Sequence, residues 1–261
     1  MGPSFSLDKV YSENSSRKKS TTKEIKERFN NDVARFSNLE TGQQAIIDAP
    51  LMMDLLAHAA AKTTPHAKRL LDIGCGAGNN TIKTLRILDG LDCDLVDLSL
   101  PMLEKARERI SKEKSGEIRL LQGDVREIEL GTDRYDIVVA AAVLHHLRDE
   151  ADWKFVFEKI YNAIRLNGSF WISDMVFHDL PAIQELMWQR YGEYLESLGG
   201  KDYRIEVFHY IDKEDSPRSL TYQLALMKKV GFEKIEVLHK SSCFAAFGGV
   251  KTRPSYRKRR R

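Results

Sequence analysis

Several features that define other classes of protein are scarce in this 261-residue sequence. Only three cysteines occur, Cys75, Cys93 and Cys243, and none forms a Cys-x-x-Cys unit. Three thiols cannot pair completely, so neither a disulfide framework nor a zinc knuckle is expected, and a reducing, cytoplasmic compartment is the default. No apolar run approaches the ~20 residues of a membrane-spanning helix, and the N-terminus lacks the apolar core of a secretory signal. We therefore expect a soluble protein that does not bind membranes.

The charged residues are abundant but unevenly distributed around a formal net charge of +3. Residues 251–261 contain seven basic groups and no acid, and residues 1–28 contain seven basic groups and four acids. Removing both ends leaves 27 basic and 34 acidic residues in 29–250. The sequence thus predicts a mobile arm over 1–22, one acidic domain over 23–251 and a basic tail over 252–261. The tail is either an anion-binding segment or a solvated chain end.

Short apolar runs alternate with helical patterns from residue 69 to residue 173. Five strands are predicted, and helices separate most of them, which indicates right-handed βαβ units and a parallel sheet covered on both faces. The predicted strands are 69–73, 92–96, 118–121, 135–141 and 169–173.

Helical patterns flank this alternating region on both sides. A helix from Thr22 and a second over Gln43–Ala61 predict an N-terminal helical flap over 23–62. Residues 178–215 predict a helical cap, interrupted at Gly199-Gly200, that is inserted after the fifth strand. A helix over 216–229 and two strands over 234–250 complete the domain.

The strongest chemical signal is the glycine-rich turn that follows the first strand, Leu70–Gly78. Gly74 permits a tight turn, Gly76 lets a ligand approach the backbone, and Gly78 lets the next helix pack closely. The third glycine comes one residue too early for a dinucleotide-binding loop, and no Gly-Lys-Ser/Thr follows as in a Walker loop. Asp72 would repel a pyrophosphate, so the turn suits a cationic ligand such as an ammonium group.

Two further acids end neighbouring strands. Asp97 ends the second strand, where its carboxylate can accept hydrogen bonds from both hydroxyls of a ribose. Asp124 follows Gly123 at the end of the third strand, where it can accept an adenine amino proton while Val125 packs on the ring. Together with the glycine-rich turn, these acids predict an adenosine-containing ligand.

At these motifs the sequence resembles the class I S-adenosylmethionine-dependent methyltransferases, from about Arg69 to Val250. Tyr135–Val138 with Leu144–Leu147 and Leu166–Ser169 are similar to further motifs of that family. The resemblance implies an α/β fold with a Rossmann-like, doubly wound, mostly parallel seven-stranded sheet whose last strand is antiparallel. It also implies S-adenosylmethionine as cofactor and S-adenosylhomocysteine as product. The cofactor-binding residues that we expect are Asp72, Gly74, Cys75, Gly76, Gly78, Asp97, Leu98, Met102, Asp124, Val125 and Ala141.

A looser resemblance concerns the flap, the cap and the last strand. Arg35-Phe36, Lys159–Tyr161 and Ala245–Lys251 look like a bacterial group that includes carboxy-S-adenosylmethionine synthase and tRNA wobble-uridine methyltransferases. Synthases of that group need an arginine aimed at the carboxylate added to the cofactor. Arg204 and Arg218 are nearby in sequence, but no motif selects either of them.

Five residues are candidates for contact with the methyl acceptor because of where they lie in the sequence. His145 or His146, after the fourth strand, is a candidate general base for a protonated nucleophile; the alternatives are framing the cofactor or capping the next helix. In the cap, Trp188 and Tyr191 could form an aromatic acceptor pocket, although their helical spacing equally fits core packing. Arg35 could clamp a carboxylate, or belong to a flap helix packed on the sheet. The other histidines are scattered, so we expect no metal site.

These observations lead to a methyltransferase that acts on a small-molecule acceptor by in-line displacement. The alternatives are a tRNA-modifying methyltransferase that uses the basic tail, or an enzyme like carboxy-S-adenosylmethionine synthase. A third hypothesis is a non-catalytic protein that binds S-adenosylmethionine. A homodimer is compatible with each of them.

Overall fold

Seven strands form one mixed sheet in the computed structural model, which describes residues 19–253. The strands are β1 (Arg69–Ile73), β2 (Asp92–Asp97), β3 (Ile118–Gln122), β4 (Tyr135–Ala141), β5 (Ile164–Met175), β6 (Lys234–Ser241) and β7 (Phe244–Val250). Their order in the sheet is β3-β2-β1-β4-β5-β7-β6. Strands β1 to β5 are parallel, and β7 is antiparallel to both of its neighbours. The predicted fold class is confirmed.

Helices cover both faces of this sheet, and further helices span the segments named the flap and the cap. They are α1 (Thr22–Asn31), α2 (Val33–Phe36), α3 (Ala49–Thr63), α4 (Asn79–Leu85), α5 (Leu100–Ile110), α6 (Glu150–Ala163), α7 (Pro181–Glu214) and α8 (Leu220–Val230), with a 3₁₀ turn at Leu144–His146. None of the helices in residues 19–253 has the length and apolar character needed to span a bilayer. The predicted arm over 1–22 and tail over 252–261 lie largely outside the described residues.

Alternating side chains of the central strands divide the core into two layers. Leu70 on β1 packs with Leu56 of α3 and with residues of the cap, on one face of the sheet. Leu71 and Ile73 point to the other face, where they pack with Trp153 of α6. Because side chains alternate along a strand, a parallel sheet with apolar residues on both faces must be covered twice. The carboxyl edge of the sheet therefore remains as the place for a ligand.

Some boundaries differ from the predicted ones for local reasons. The second flap helix begins at Ala49 rather than Gln43, because Asp48 has a left-handed backbone (φ 59°) and ends the turns that precede it. Near the start of α3, Leu51 is exposed, whereas Met52 and Met53 are buried. The interruption predicted in the cap is present, since Gly200 has φ 79° and ψ −174° within α7.

Candidate functional site

A cavity opens at the carboxyl edge of the sheet, where β1 and β4 lie side by side. The chain continues from β1 toward β2 and from β4 toward β5, in opposite directions along the sheet. Such a switch point leaves a crevice, which is the usual ligand site of open α/β sheets. The cavity encloses about 1050 Å³, including its open mouth, and its walls come from the glycine-rich turn, the ends of β2 to β4 and the flap.

The glycine-rich turn adopts the conformation that its composition predicts. Gly74, Gly76 and Gly78 all have positive φ values, of 67°, 50° and 83°. The backbone N–H of Gly74 donates to the carbonyl of Val96 at 2.8 Å, which ties the turn to the neighbouring strand. Gly74 and Gly76 line the cavity, whereas Gly78 lies against Ile110 of α5 and does not line it. The turn thus presents backbone, not side chains, to a ligand.

Asp97 holds a central position in the cavity wall. Its Oδ2 accepts the backbone N–H of Gly76 at 2.9 Å, and its Oδ1 accepts that of Ser99 at 2.9 Å. Burial raises the pKa of this carboxyl, and the backbone donors oppose that effect. Each carboxylate oxygen has a further lone pair, so Asp97 can accept two hydrogen bonds from a ligand in the cavity.

Asp124 also lines the cavity, but it has a partner that the sequence did not predict. Arg126 donates to both of its carboxylate oxygens, at 3.0 Å and 2.6 Å, and also reaches Asp152 of α6 at 2.7 Å. Burial raises the pKa of Asp124, but the hydrogen bonds and charge of Arg126 outweigh it and lower the pKa overall. Asp124 is therefore a fixed carboxylate, and Arg126 is an additional residue of this wall.

Known proteins resemble this chain in sequence. Residues 70–168 match the model of a methyltransferase domain. Carboxy-S-adenosyl-L-methionine synthase of Helicobacter pylori (strain G27) is 26% identical over 208 residues, which cover 77% of this chain and 84% of that protein. Residues 70–168 are therefore a methyltransferase domain, and these similarities support a class I S-adenosylmethionine-dependent methyltransferase. Its cofactor is S-adenosylmethionine.

Solved structures of other proteins share the fold. Phosphoethanolamine N-methyltransferase 2 of Haemonchus contortus, in complex with phosphomonomethylethanolamine and S-adenosylhomocysteine, is 26% identical with a TM-score of 0.50. That match covers 69% of this methyltransferase but only 37% of the other chain. The YcgJ protein of Bacillus subtilis is 16% identical, with a TM-score of 0.54 over 78% of this chain and 99% of its own.

Most of the residues predicted to bind the cofactor lie around one cavity. Besides Gly74, Gly76, Asp97 and Asp124, its walls include Cys75, Leu98, Met102, Val125 and Ala141. Burial raises the pKa of the Cys75 thiol well above its usual value, so Cys75 is a packing residue rather than a nucleophile.

Asp72 is the main departure from the predicted cofactor contacts. It is buried and does not line the cavity; its Oδ2 accepts the Thr81 hydroxyl at 2.7 Å, and its Oδ1 has no hydrogen-bond partner. Burial raises the pKa of Asp72 to about 7, the Thr81 hydrogen bonds oppose the shift, and Asp97 adds to it. Because Asp72 does not line the cavity, it can act on the ammonium group of the cofactor only through the glycine-rich turn and without direct contact.

The buried position of Asp72 predicts a dependence of stability on pH. The pKa of Asp72 is about 7 in the folded chain, against 3.8 for an ordinary aspartate, so the folded state binds more protons between these values. Stability should therefore fall as the pH rises from about 4 to about 7 and then level off. Thermal unfolding without ligand should show a smaller loss between pH 5 and pH 8 for Asp72→Asn than for the wild type. Parallel pH curves for the two proteins would contradict this assignment.

The flap closes the cavity with apolar side chains. Ile25, Phe29 and Phe36 line it, and α1 is held to the body by Arg28, whose Nη2 lies 3.0 Å from Glu214 Oε2. Arg35 does not line the cavity: its side chain is 55% exposed and pairs with Asp32 at 3.1 Å. The predicted carboxylate clamp at Arg35 is not placed to act in this conformation, because its neighbour Asp32 already holds it.

Trp188 and Tyr191 are also away from the cavity. Trp188 stacks on Phe208 with ring centroids 4.6 Å apart, and Tyr191 meets Phe244 of β7 edge to face at 5.0 Å. Both side chains are buried between the cap and the sheet. Of the two interpretations that the helical spacing allowed, the structure shows core packing rather than an acceptor pocket.

His145 and His146 have different surroundings despite being adjacent. His146 lines the cavity and meets Phe29 of the flap edge to face. His145 is buried; its Nδ1 contacts Asp174 Oδ1, and its Nε2 lies 3.6 Å from Asp215 Oδ1. Burial lowers the pKa of His145, but Asp174 and Asp215 outweigh it and raise the pKa to about 9. Burial, His145 and Arg28 together lower the pKa of His146 well below its usual value.

Asp174 and Asp215 are site residues that the sequence analysis missed. Asp174 is the second-last residue of β5 and could have been found as another acid near a strand end. Asp215 follows the long helix α7, and only the fold brings it within 3.3 Å of His146 Nδ1. No spacing in the sequence indicates that pairing.

Proposed function

We propose that this methyltransferase transfers the methyl group of S-adenosylmethionine to a small-molecule nucleophile held under the flap. A lone pair of the acceptor attacks the methyl carbon, the carbon–sulfur bond breaks, and S-adenosylhomocysteine leaves. The acceptor also gives up to water the proton that it carried on the attacking atom. Because the sulfonium is already a good leaving group, the protein mainly orients the acceptor and excludes water.

The enclosure of the cavity is the observation that carries this proposal. Apolar flap residues cover the cavity, and polar bonds fasten the flap at several points: Asn30 Oδ1 accepts the Ser99 hydroxyl at 2.7 Å, and Asn79 Nδ2 donates to the Phe36 carbonyl at 3.1 Å. At the start of the flap, Arg148 Nη2 donates to the Ser20 carbonyl at 2.7 Å. A covered chamber of this kind suits a small acceptor, whereas RNA would have to insert a single extruded base.

A carboxy-S-adenosylmethionine synthase-like activity is the second candidate, favoured by the similarity to the Helicobacter pylori enzyme. Such an activity needs an arginine aimed at the carboxylate added to the cofactor. Arg204 pairs with Glu196 at 2.8 Å, and neither Arg204 nor Arg218 lines the cavity, so neither arginine is placed for that role. Two arginines that line the cavity, Arg126 and Arg148, already bind Asp124 and backbone carbonyls, respectively. The positions of these arginines therefore favour methyl transfer over synthesis of carboxy-S-adenosylmethionine.

Transfer of radiolabelled methyl groups to defined acceptor pools tests the proposal. The full chain is incubated with methyl-labelled S-adenosylmethionine and either a metabolite extract or total tRNA, and Asp97→Ala serves as the inactive control. We expect label in small molecules and none in tRNA. Label in tRNA that is lost on deleting 254–261 would replace the small-molecule acceptor with RNA. Mass spectrometry that shows carboxylated S-adenosylmethionine instead would establish the second candidate, and cofactor binding without any product would indicate a non-catalytic protein.

A further inference from the structure

We propose that His145, His146 and Asp215 form a binding site for a divalent transition metal ion, of which Zn²⁺ is the representative. Each residue contributes one ligand atom, and these atoms lie within 4.8 Å of one another. The first two residues belong to the 3₁₀ turn after β4, and the third follows the end of the cap helix α7. Two imidazoles and one carboxylate bind transition metal ions in preference to Ca²⁺ or Mg²⁺.

The separations of Asp215 from the two histidines are close to those of a tetrahedral centre. Asp215 Oδ1 lies 3.6 Å from His145 Nε2 and 3.3 Å from His146 Nδ1. Ligands at ~2.1 Å from a tetrahedral Zn²⁺ are about 3.4 Å apart from one another. Both histidine nitrogens therefore lie at a suitable distance from Asp215 Oδ1 to share one ion with it, and all three ligand atoms lie within 4.8 Å of one another.

Unsatisfied polar atoms at this place provide independent support. Asp215 is 4% exposed, and its Oδ1 has no hydrogen-bond partner. Both ring nitrogens of His146 are likewise buried without a hydrogen bond. Buried polar atoms in folded proteins nearly always have a partner, so such a cluster indicates a missing ion or ligand. A metal ion would satisfy the carboxylate and one ring nitrogen together.

Asp174 orients His145 as metal-binding histidines are usually oriented. It contacts Nδ1 of His145, which leaves Nε2 directed toward Asp215. Asp174 is itself fixed, because its oxygens accept the backbone N–H groups of Leu144 at 2.8 Å and Met175 at 2.7 Å. A carboxylate behind a histidine ligand selects the tautomer and strengthens the ligand.

The local charge can accommodate a dication. The carboxylates of Asp215 and Glu214 lie near the guanidinium groups of Arg28 and Arg148. Arg28 donates to Glu214, and Arg148 donates to the carbonyls of Glu214 and Ser20.

Because His146 lines the cavity, a metal on its ring would lie at the cavity wall. Three protein ligands leave a fourth tetrahedral position open, as in catalytic zinc sites. If the proposed function holds, a hydroxyl or thiol acceptor would occupy that position, release its proton to water, and attack the methyl group with the freed lone pair. The site thus narrows the acceptor class to small molecules with an oxygen or sulfur nucleophile.

Titration of the metal-stripped full chain with ZnCl₂, without cofactor, tests the site by calorimetry. We expect one Zn²⁺ per chain, at least 100-fold weaker binding for Asp215→Asn and His146→Ala, and ~10–100-fold weaker binding for Asp174→Asn. His239→Asn is the matched control. His239 pairs with Asp48 at 2.9 Å and is not one of the three proposed ligands, so this variant should bind Zn²⁺ like the wild type. Circular dichroism of each metal-free variant checks that it is folded.

Co²⁺ provides a second readout, since a tetrahedral site gives intense visible absorption bands. Absence of saturable binding in the wild type, or equal binding by Asp215→Asn and His239→Asn, would overturn the proposal, as would Co²⁺ bands unchanged in Asp215→Asn. These experiments use neither cofactor nor acceptor. Failure of metal binding would therefore leave methyl transfer standing, and failure of the labelling assay would leave the metal site standing.

Discussion

Replacing Asp97 with alanine should weaken binding of S-adenosylmethionine by about 10²- to 10⁴-fold. The carboxylate lines the cavity with one lone pair of each oxygen free, and the two ribose hydroxyls of the cofactor would donate to these positions. Hydrogen bonds to a charged group contribute roughly 1.5–3 kcal/mol each, and 1.4 kcal/mol corresponds to a factor of about ten. Loss of both bonds gives the expected range. Removing Asp97 also frees the Gly76 N–H and so loosens the turn.

Asp92 offers a matched control at the opposite end of the same strand. It lies at the amino end of β2, pairs with Arg69 at 3.2 Å and is absent from the cavity wall. Calorimetry with S-adenosylmethionine and S-adenosylhomocysteine should show unchanged affinity for Asp92→Asn and the large loss for Asp97→Ala. If both variants bound like the wild type, the cavity would not be the ribose site, and the cofactor would have to bind elsewhere.

Most of the residues that the sequence predicts around a cofactor line one cavity, because local sequence features set their positions. Gly74, Gly76 and Asp97 each stand at a strand end, and in a parallel sheet every strand ends at the same edge. The glycine-rich turn and Asp97 were therefore expected to lie close together at that edge.

The cap could not be predicted in the same way, because its contacts depend on tertiary packing. Trp188 and Tyr191 have a helical spacing, and that spacing cannot distinguish a helix face packed in the core from one that lines a ligand pocket. The structure places them against Phe208 and Phe244, since the cap must cover apolar side chains of the sheet. Asp215 reaches the histidines only because α7 returns to the carboxyl edge after its interruption at Gly200.

A pair of glycine substitutions should separate the folding of the turn from its binding of cofactor. A Cβ atom on Gly74 would lie 2.5 Å from Cβ and Cγ2 of Val143, and the backbone there has φ 67°. The left-handed conformation costs an alanine roughly 1–2 kcal/mol, and overpacking adds about 1–3 kcal/mol. Gly74→Ala should therefore lower the free energy of unfolding by about 2–5 kcal/mol, measured by urea denaturation without ligand.

Gly76→Ala should behave differently, because a Cβ atom on Gly76 meets no atom within 4 Å. Its φ of 50° still costs an alanine roughly 1–2 kcal/mol of stability, without any steric clash. The added methyl group would occupy the open space of the cavity that the cofactor needs, so affinity for S-adenosylmethionine should fall at least tenfold. Gly76→Ala should thus remain the more stable variant but bind poorly. Normal cofactor affinity in Gly76→Ala, measured by calorimetry on the folded protein, would mean that the cofactor does not approach the backbone at this turn.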